Sequence, residues 1–287
     1  MSSPDQILST CTVRIAGMTG SAIKSIGTGF LYAFPVPVSE GHSSARHVPT
    51  LITNKHVLAG CETIEIVFSL APAQAVVGEN GLKVGRIFQK FQLPIAAIRC
   101  DHPSPDVDLC GLNISNVVNA VSSAGNELQH QFLGQWIQLS TEARAYTRAV
   151  ESVVMVGYPS GLWDGVNNSP LIRRGILATH PLVNYEGKKE FVIDAACFPG
   201  SSGSPVFLFE DGMYRSNATS YSPGSRIALL GVLYAGPQFT AEGRLEARPI
   251  PHNFAPTPIT SVPMNLGFVI HADEVDVLGR TFLATVG

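Results

Sequence analysis

Short runs of apolar and β-branched residues recur along the whole chain, separated by glycine, proline, asparagine and serine. Each run is too short for an ordinary amphipathic helix but long enough for a strand. Many short strands with turn residues between them are typical of all-β sandwiches and barrels. We therefore predict an all-β fold, with strands at residues 12–16, 29–34, 63–68, 109–114, 136–139, 153–156, 175–179, 191–195, 206–209, 227–234 and 266–270.

A serine between glycines precedes one of these strands. Residues 199–205 read PGSSGSP, and the apolar run at 206–209 follows at once. Glycine allows the positive φ and the close backbone approach that leave a hydroxyl exposed in a sharp turn. The amides of Gly200 and Ser202 can then converge on one point in space. The segment is equally compatible with an ordinary turn between two strands, so by itself it leaves both interpretations open.

A nucleophilic serine needs a base and an orienting acid, and both occur upstream of Ser202. The serine hydroxyl is protonated at neutral pH, so a neighbouring base must accept its proton. His56 follows an apolar run and enters a turn. A carboxylate fixes the imidazole tautomer and stabilises the imidazolium. Asp106 and Asp108 stand at the start of a third apolar stretch, and both are candidates, although acids at a strand edge also increase solubility.

The charge composition argues against a polyanionic partner. Charged residues make up 14% of the chain and the formal net charge is −3, whereas a typical soluble domain is about one quarter charged. The chain has no basic face interleaved with aromatic residues and no phosphate-binding loop. Gly27-Thr28-Gly29 lacks the helix that a nucleotide site needs, so we interpret it as a bend between the first two strands. We expect neither nucleic acid nor a membrane as a partner.

The N-terminus and the cysteines favour a cytoplasmic location. Residues 1–6 lack the basic start and apolar run of a signal peptide, and no stretch approaches ~20 continuous apolar residues. Five cysteines without C-x-x-C spacing indicate reduced core thiols rather than disulfides or a zinc site. His42 and His47 have no third ligand nearby, so we expect no metal and no other cofactor.

Together these segments resemble the chymotrypsin-like serine proteases, in which His, Asp and Ser follow one another in this order. Residues 53–57 (TNKHV) and 203–207 (GSPVF) are similar to the glutamyl endopeptidase branch. Residues 194–196 (DAA), 199–200 (PG) and 266–270 (LGFVI) are similar to the HtrA/DegP branch. The resemblance runs over nearly the whole chain and points to bacterial members without a disulfide framework.

The resemblance implies two six-stranded antiparallel β-barrels and a C-terminal helix. The N-terminal barrel, residues 1–145, would carry His56 as the general base and the acid of a catalytic triad. The C-terminal barrel, residues 146–287, would carry Ser202 as the nucleophile, with Gly200 and Ser202 as oxyanion amides. The acid of the family starts a strand reading Asp-apolar-small-apolar-apolar. Asp108 fits this pattern better than Asp106.

The resemblance also assigns the substrate-binding residues, which are Ala196, Cys197, Tyr234, Ala235 and Gly236. Ala196 would form the base of the primary pocket, where a lysine or arginine side chain would be buried unpaired, at a cost on the order of several kcal/mol. Leu233 replaces the specificity histidine of the glutamyl endopeptidases, so we expect no glutamate pocket. These residues favour cleavage after small or medium aliphatic side chains.

Two functions from different classes fit this sequence. The first is a serine endopeptidase that cleaves protein or peptide substrates; the second is a catalytically silent protease fold that serves as a binding or regulatory module. Ser201 replaces the aspartate with which many zymogens of the family bind a newly formed N-terminal amine. We therefore expect the peptide between Pro199 and Gly200 to flip. An activating protein partner on the proline-rich residues 237–263 would shift that equilibrium.

Overall fold

In the computed structural model, residues 3–36, 46–74, 76–77, 86–242 and 259–286 are described. Within these ranges the first half of the chain contains eight strands and three short helices. They are α1 (Pro4–Thr10), β1 (Thr12–Thr19), β2 (Ala22–Pro35), β3 (His47–Thr53), β4 (Thr63–Pro72), β5 (Ile87–Pro94), α2 (Ile95–Ile98), β6 (Arg99–Asp101), β7 (Cys110–Asn113), α3 (Ser115–Ser123) and β8 (Asn126–Leu128).

The strands of this first half form one antiparallel sheet in the order β5-β4-β1-β2-β3-β7-β6, and β8 adds to β4. Their inward side chains alternate with outward ones, as in β4, whose alternate residues Ile64, Ile66 and Phe68 are fully buried. Gly27-Thr28-Gly29 lies inside β2 rather than between the first two strands, so the predicted bend is wrong in its position.

The described part of the second half contains ten strands and two helices. They are α4 (Thr141–Arg144), β9 (Ser152–Gly157), β10 (Leu171–Leu177), β11 (Glu190–Asp194), β12 (Pro205–Glu210), β13 (Met213–Arg215), β14 (Tyr221–Pro223), β15 (Arg226–Ala235), β16 (Gln238–Glu242), β17 (Ile259–Pro263), β18 (Leu266–His271) and α5 (Asp273–Val286). Short 3₁₀ helices lie at His56–Leu58, Gln135–Ile137 and Pro159–Gly161.

Six strands of the second half form a closed antiparallel barrel in the order β10-β11-β18-β15-β12-β9. Two separate hairpins, β13-β14 and β16-β17, project from it. This barrel and the C-terminal helix α5 confirm that part of the predicted fold. The described pairings of the first half give an eight-stranded sheet, so a second closed barrel stays a prediction.

Helix α5 packs back onto the first half of the chain. Its Val275, Leu278 and Phe282 are fully buried, and the ring centroid of Phe282 lies 6.0 Å from that of Phe34 on β2. Phe207 and Val154 of the barrel belong to the same apolar cluster. The sheet, the barrel and the C-terminal helix therefore share one core.

The loop at residues 199–205 is the point where barrel and sheet interlock. The amide of Thr28 on β2 donates to the Ser202 carbonyl at 2.8 Å. Gly203 has a φ of +87°, and a Cβ there would lie 2.0 Å from the Thr28 carbonyl oxygen and 2.6 Å from Thr53 Oγ1. Only glycine permits this approach, because backbone atoms occupy the space that a side chain would need.

We expect Gly203→Ala to lower the free energy of unfolding by about 3 kcal/mol or more, since it adds backbone overlap to an unfavourable φ. Gly212→Ala is the matched control, because Gly212 has a φ of +81° but nothing within 4 Å of the added Cβ. That substitution should cost about 1 kcal/mol. Urea denaturation of both variants measures the difference. Equal losses would contradict the close packing at Gly203.

Candidate active site

His56 and Asp108 meet where the paired strands β3 and β7 of the N-terminal sheet end and begin. His56 begins the 3₁₀ turn that follows β3, and Asp108 lies two residues before β7, the strand paired with β3. The His56 amide donates to Asp108 Oδ1 at 3.1 Å, and His56 Nδ1 contacts Asp108 Oδ2 directly. The carboxylate therefore holds both the backbone and the ring of the histidine, and it leaves Nε2 for another partner.

The surroundings of Asp108 keep it ionised. Burial by itself raises the pKa of Asp108, but the hydrogen bonds and the charge of His56 outweigh burial, so the pKa lies below its usual value. Asn54 donates its side-chain amide to the Asp108 carbonyl at 2.7 Å, which fixes the backbone of the acid. An ionised Asp108 requires the proton on His56 Nδ1, the tautomer that makes Nε2 a base.

Asp106, the other candidate acid, is exposed, and among the described residues it forms no hydrogen bond or ion pair with His56. The strand expected to begin at Asp108 begins two residues later, at Cys110. Lys55 donates to the Ser104 carbonyl at 2.9 Å and braces the turn before Asp108.

Ser202 is partly exposed in the loop before β12, and its hydroxyl donates to the Tyr234 carbonyl at 3.2 Å. Within the described part of the chain no hydrogen bond joins Ser202 to His56. A rotation about one side-chain bond is enough to redirect a serine hydroxyl. The structure therefore shows the serine hydroxyl bonded to strand β15 rather than to the imidazole.

The peptide between Pro199 and Gly200 is held in one orientation. Its carbonyl accepts a hydrogen bond from the Ser160 amide, and the carbonyl of Gly200 accepts from Thr28 Oγ1 at 3.1 Å. In a planar trans peptide the N–H points opposite to the C=O, so the Gly200 amide faces away from Ser160. Among the described residues neither the Gly200 nor the Ser202 amide donates a hydrogen bond, which leaves both for a ligand. The structure thus holds the peptide that we expected to flip.

Two further features make this turn specific for glycine. Gly200 has a φ of +85°, and a Cβ there would lie 2.7 Å from the Tyr158 carbonyl oxygen and 3.0 Å from the Ser160 nitrogen. Both neighbours are backbone atoms and cannot rotate away. The close approach that holds the peptide therefore depends on the missing side chain of Gly200.

Thr28 connects β2 to the loop that carries Ser202, although the sequence analysis assigned it no functional role. Its hydroxyl donates to the Gly200 carbonyl and accepts from the Tyr158 amide at 3.1 Å, and its own carbonyl accepts from Thr53 Oγ1 at 2.7 Å. Thr28 is fully buried. The flanking glycines were visible in the sequence, but the contacts of Thr28 span distant segments and no local pattern reveals them.

Of the predicted substrate-binding residues, Tyr234 contacts Ser202 through its carbonyl. Cys197 is buried. A Cβ added to Gly236 would lie 3.2 Å from Cys197 Cβ, and one added to Gly267 would lie 2.6 Å from Cys197 Sγ. Burial raises the pKa of Cys197 to about 11, so its thiol is protonated. Ala196 is partly exposed, and its carbonyl accepts a hydrogen bond from Arg173, a residue that the sequence analysis missed.

Tyr234 and Ala235 end the barrel strand β15, and Gly236 follows it. The Tyr234 hydroxyl donates to Glu190 Oε2 at 2.6 Å, and burial followed by the Glu190 contact raises the pKa of Tyr234. Tyr234 and Glu190 line a cavity of about 580 Å³ together with Asp108 and Lys188. An open cavity therefore adjoins the candidate acid on the side of Tyr234.

Part of the proline-rich segment lies outside the described residues, namely 243–258. Its two ends, β16 and β17, pair as an antiparallel hairpin that follows Gly236. No cluster of three metal-ligating side chains occurs among the described residues, and His42 lies outside them. None of the described helices is both long and apolar enough to cross a membrane.

The sequence matches the family model of the trypsin-like peptidase domain over residues 27–213. This range is more than half of the 287-residue chain and includes His56, Asp108 and Ser202. No curated protein matches the chain by sequence.

Solved structures of three proteases are similar in fold. The serine endoprotease from Yersinia pestis is 16% identical with a TM-score of 0.48, and the alignment covers 99% of this chain and 68% of that one. The HtrA-type protease AlgW with tripeptide is 15% identical with a TM-score of 0.50, covering 99% and 65%. The Rv3671c protease from M. tuberculosis, active form, is 15% identical with a TM-score of 0.46, covering 97% and 82%. At these identities the similarity concerns the fold alone.

Proposed function

The chain belongs to the trypsin-like peptidase domain family of serine proteases, and from this membership we propose an endopeptidase in which His56, Asp108 and Ser202 form a catalytic triad. The observation that supports these roles best is the two-point contact of the Asp108 carboxylate with the amide and the ring of His56. A contact of this kind fixes the tautomer that a general base needs.

In the proposed reaction the Ser202 hydroxyl first turns from the Tyr234 carbonyl to His56. Oγ attacks the carbonyl carbon of the scissile peptide, its proton passes to His56 Nε2, and the amides of Gly200 and Ser202 bind the oxyanion. The C–N bond then breaks, and the leaving amine takes the proton from His56. A water molecule, deprotonated by His56 in the same way, hydrolyses the acyl-enzyme and restores Ser202.

We propose a preference for small or medium aliphatic residues before the cleaved bond. Ala196, Cys197, Ala235 and Gly236 offer little volume and no charge of their own. Arg173 brings a positive charge to the Ala196 carbonyl, which disfavours a lysine or arginine side chain in that pocket. Its guanidinium donates to main-chain and hydroxyl acceptors, so it is committed within the protein.

The remaining parts of the proposal concern organisation and control. The eight-stranded sheet would wrap into the first barrel, with a boundary between units near residue 145, and the protein would act in the bacterial cytoplasm. An activating protein partner would bind the hairpin β16-β17, which follows β15 and its proposed substrate-binding residues Tyr234 and Ala235 in the chain. Thr28 and Ser160 bind the carbonyls on either side of the Gly200 amide. Such a partner would therefore act on substrate access rather than on the peptide between Pro199 and Gly200.

The alternative is a catalytically silent module that uses the same surface for binding. The hydrogen bond of Ser202 to Tyr234, with none to His56 among the described residues, is the observation that favours it. The two functions differ in one reaction, because only an activated serine displaces fluoride from a fluorophosphonate and forms a covalent bond from Oγ to phosphorus.

We expect a fluorophosphonate probe to label the wild-type protein at Ser202, with the site identified by mass spectrometry of the digested adduct. Ser202→Ala should fold normally and show no labelling, and His56→Ala should lose several orders of magnitude in rate, because triad members act as a unit. A folded wild-type protein that stays unlabelled would support the silent module instead.

The two neighbouring acids allow a matched test of the orienting role. Asp108→Asn should lower the rate of peptide hydrolysis on the order of a thousandfold or more, since an amide cannot stabilise the imidazolium. Asp106→Asn should leave the rate within about tenfold, which is roughly 1.4 kcal/mol of barrier. The measurement is kcat/KM on one peptide substrate for both variants. A reversed ranking would transfer the role to Asp106.

A further inference from the structure

Arg173 lies behind the loop that carries the candidate oxyanion amides. It belongs to β10 and pairs with Met155 on β9. Its Nη1 donates to the Ala196 carbonyl, and its Nη2 donates to Ser201 Oγ at 2.6 Å. One planar guanidinium therefore holds both ends of residues 196–201, the segment that includes Gly200 and leads into Ser202.

The charge of Arg173 is not neutralised by an acid. Among the described residues no carboxylate forms an ion pair with it, whereas Arg226 pairs with Glu210 and Arg144 with Asp273. Its Nε is buried and without a hydrogen-bond partner in the described part of the chain. Burial lowers the pKa of Arg173. A partly buried cation without a counter-charge is unfavourable, so packing alone does not account for an arginine here.

The acceptors of Arg173 identify what it acts on. Ser201 is buried, and its amide donates to the Phe198 carbonyl at 3.1 Å, which closes the turn around Gly200. Thr28 holds the opposite side of the same turn through the carbonyls of Gly200 and Ser202. The turn is thus fixed from the barrel by Arg173 and from the sheet by Thr28.

We propose that Arg173 is a positioning residue for the proposed protease activity, which clamps residues 196–201 so that the Gly200 and Ser202 amides face one point. Arginine suits this role because its fork of donors bridges two acceptors in a fixed geometry, which a lysine ammonium cannot reproduce. The proposal rests on the proposed function, but the order of the loop can also be measured without catalysis.

The test compares Arg173→Met and Arg173→Lys with the control Arg174→Met. Arg174 is the next residue of β10, its side chain is exposed on the other face, and it contacts Ser152 Oγ at 3.2 Å. Each variant is titrated with the fluorophosphonate probe, and the rate constant and the final labelled fraction are recorded separately. Amide hydrogen exchange of a peptide spanning residues 196–204 reports loop order in the same samples.

We expect Arg173→Met to lower the labelling rate constant about ten- to a hundredfold, while the final labelled fraction stays complete. This loss of rate is smaller than the loss caused by removing an oxyanion donor. Arg173→Lys should lie between Arg173→Met and wild type, and Arg174→Met should stay within about twofold of wild type. With a peptide substrate the loss should fall on kcat rather than KM, because oxyanion contacts form in the transition state. Exchange of the loop should accelerate most in Arg173→Met, less in Arg173→Lys, and stay unchanged in Arg174→Met.

Several results would overturn the proposal. A lower labelled fraction with an unchanged rate constant would mean that Arg173 only maintains folding. Unchanged labelling and unchanged exchange in a folded Arg173→Met would contradict the proposal that Arg173 orders the loop. A selective loss of cleavage after acidic residues would make Arg173 a specificity residue instead. If wild type is unlabelled, the proposed function fails, while faster exchange in Arg173→Met would still support the clamp.

If Arg173→Met does not fold, Ser201→Ala removes one acceptor without emptying the arginine site. The proposal then predicts a labelling rate about three- to tenfold lower than wild type, since one of the two hydrogen bonds that fix the loop is lost. An unchanged rate and unchanged exchange in Ser201→Ala would contradict the clamp.

Discussion

The structure depends on the packing of one β2 residue, Thr28, against the loop that carries Ser202. Through its amide, hydroxyl and carbonyl, Thr28 binds Ser202, Gly200, Tyr158 and Thr53. These contacts bring a loop of the C-terminal barrel to the sheet of the first half, in which His56 follows β3 and Asp108 precedes β7. The approach is possible because Gly203 and Gly200 have no side chain in the space that backbone atoms occupy. The geometry of the candidate site therefore depends on contacts between the two halves of the chain.

Much of this arrangement was predictable from the sequence. Short apolar runs predicted an all-β fold, and the family resemblance implied the C-terminal helix on which Val275, Leu278 and Phe282 are buried. The first half differs, because β5 and β8 extend its sheet to eight strands and neither has the periodic burial that marks a central strand. The contacts of Thr28 and Arg173 were not predictable, since each joins residues far apart in the chain and neither residue type is unusual in a strand.

The loop and the hydroxyl of Ser202 differ in how firmly they are held. The Pro199 carbonyl accepts from the Ser160 amide, the Gly200 carbonyl accepts from Thr28 Oγ1, and Ser201 is tied to Arg173. Among the described residues the Ser202 hydroxyl has one hydrogen bond, to the Tyr234 carbonyl, and it can turn without moving the backbone. We propose that the resting restraint lies in the orientation of the Ser202 hydroxyl and in access to the cavity beside Tyr234, and that the Gly200 and Ser202 amides bind an oxyanion without rearrangement.

The most direct test of this account is a crystal structure of the protein after reaction with a fluorophosphonate. We predict that the phosphoryl oxygen lies about 2.7–3.1 Å from the nitrogens of both Gly200 and Ser202. The Pro199 carbonyl should still accept from Ser160, and Arg173 should still bridge Ala196 and Ser201, as in the free protein. An adduct in which the peptide between Pro199 and Gly200 has rotated, or in which Arg173 has left the loop, would contradict a preformed site.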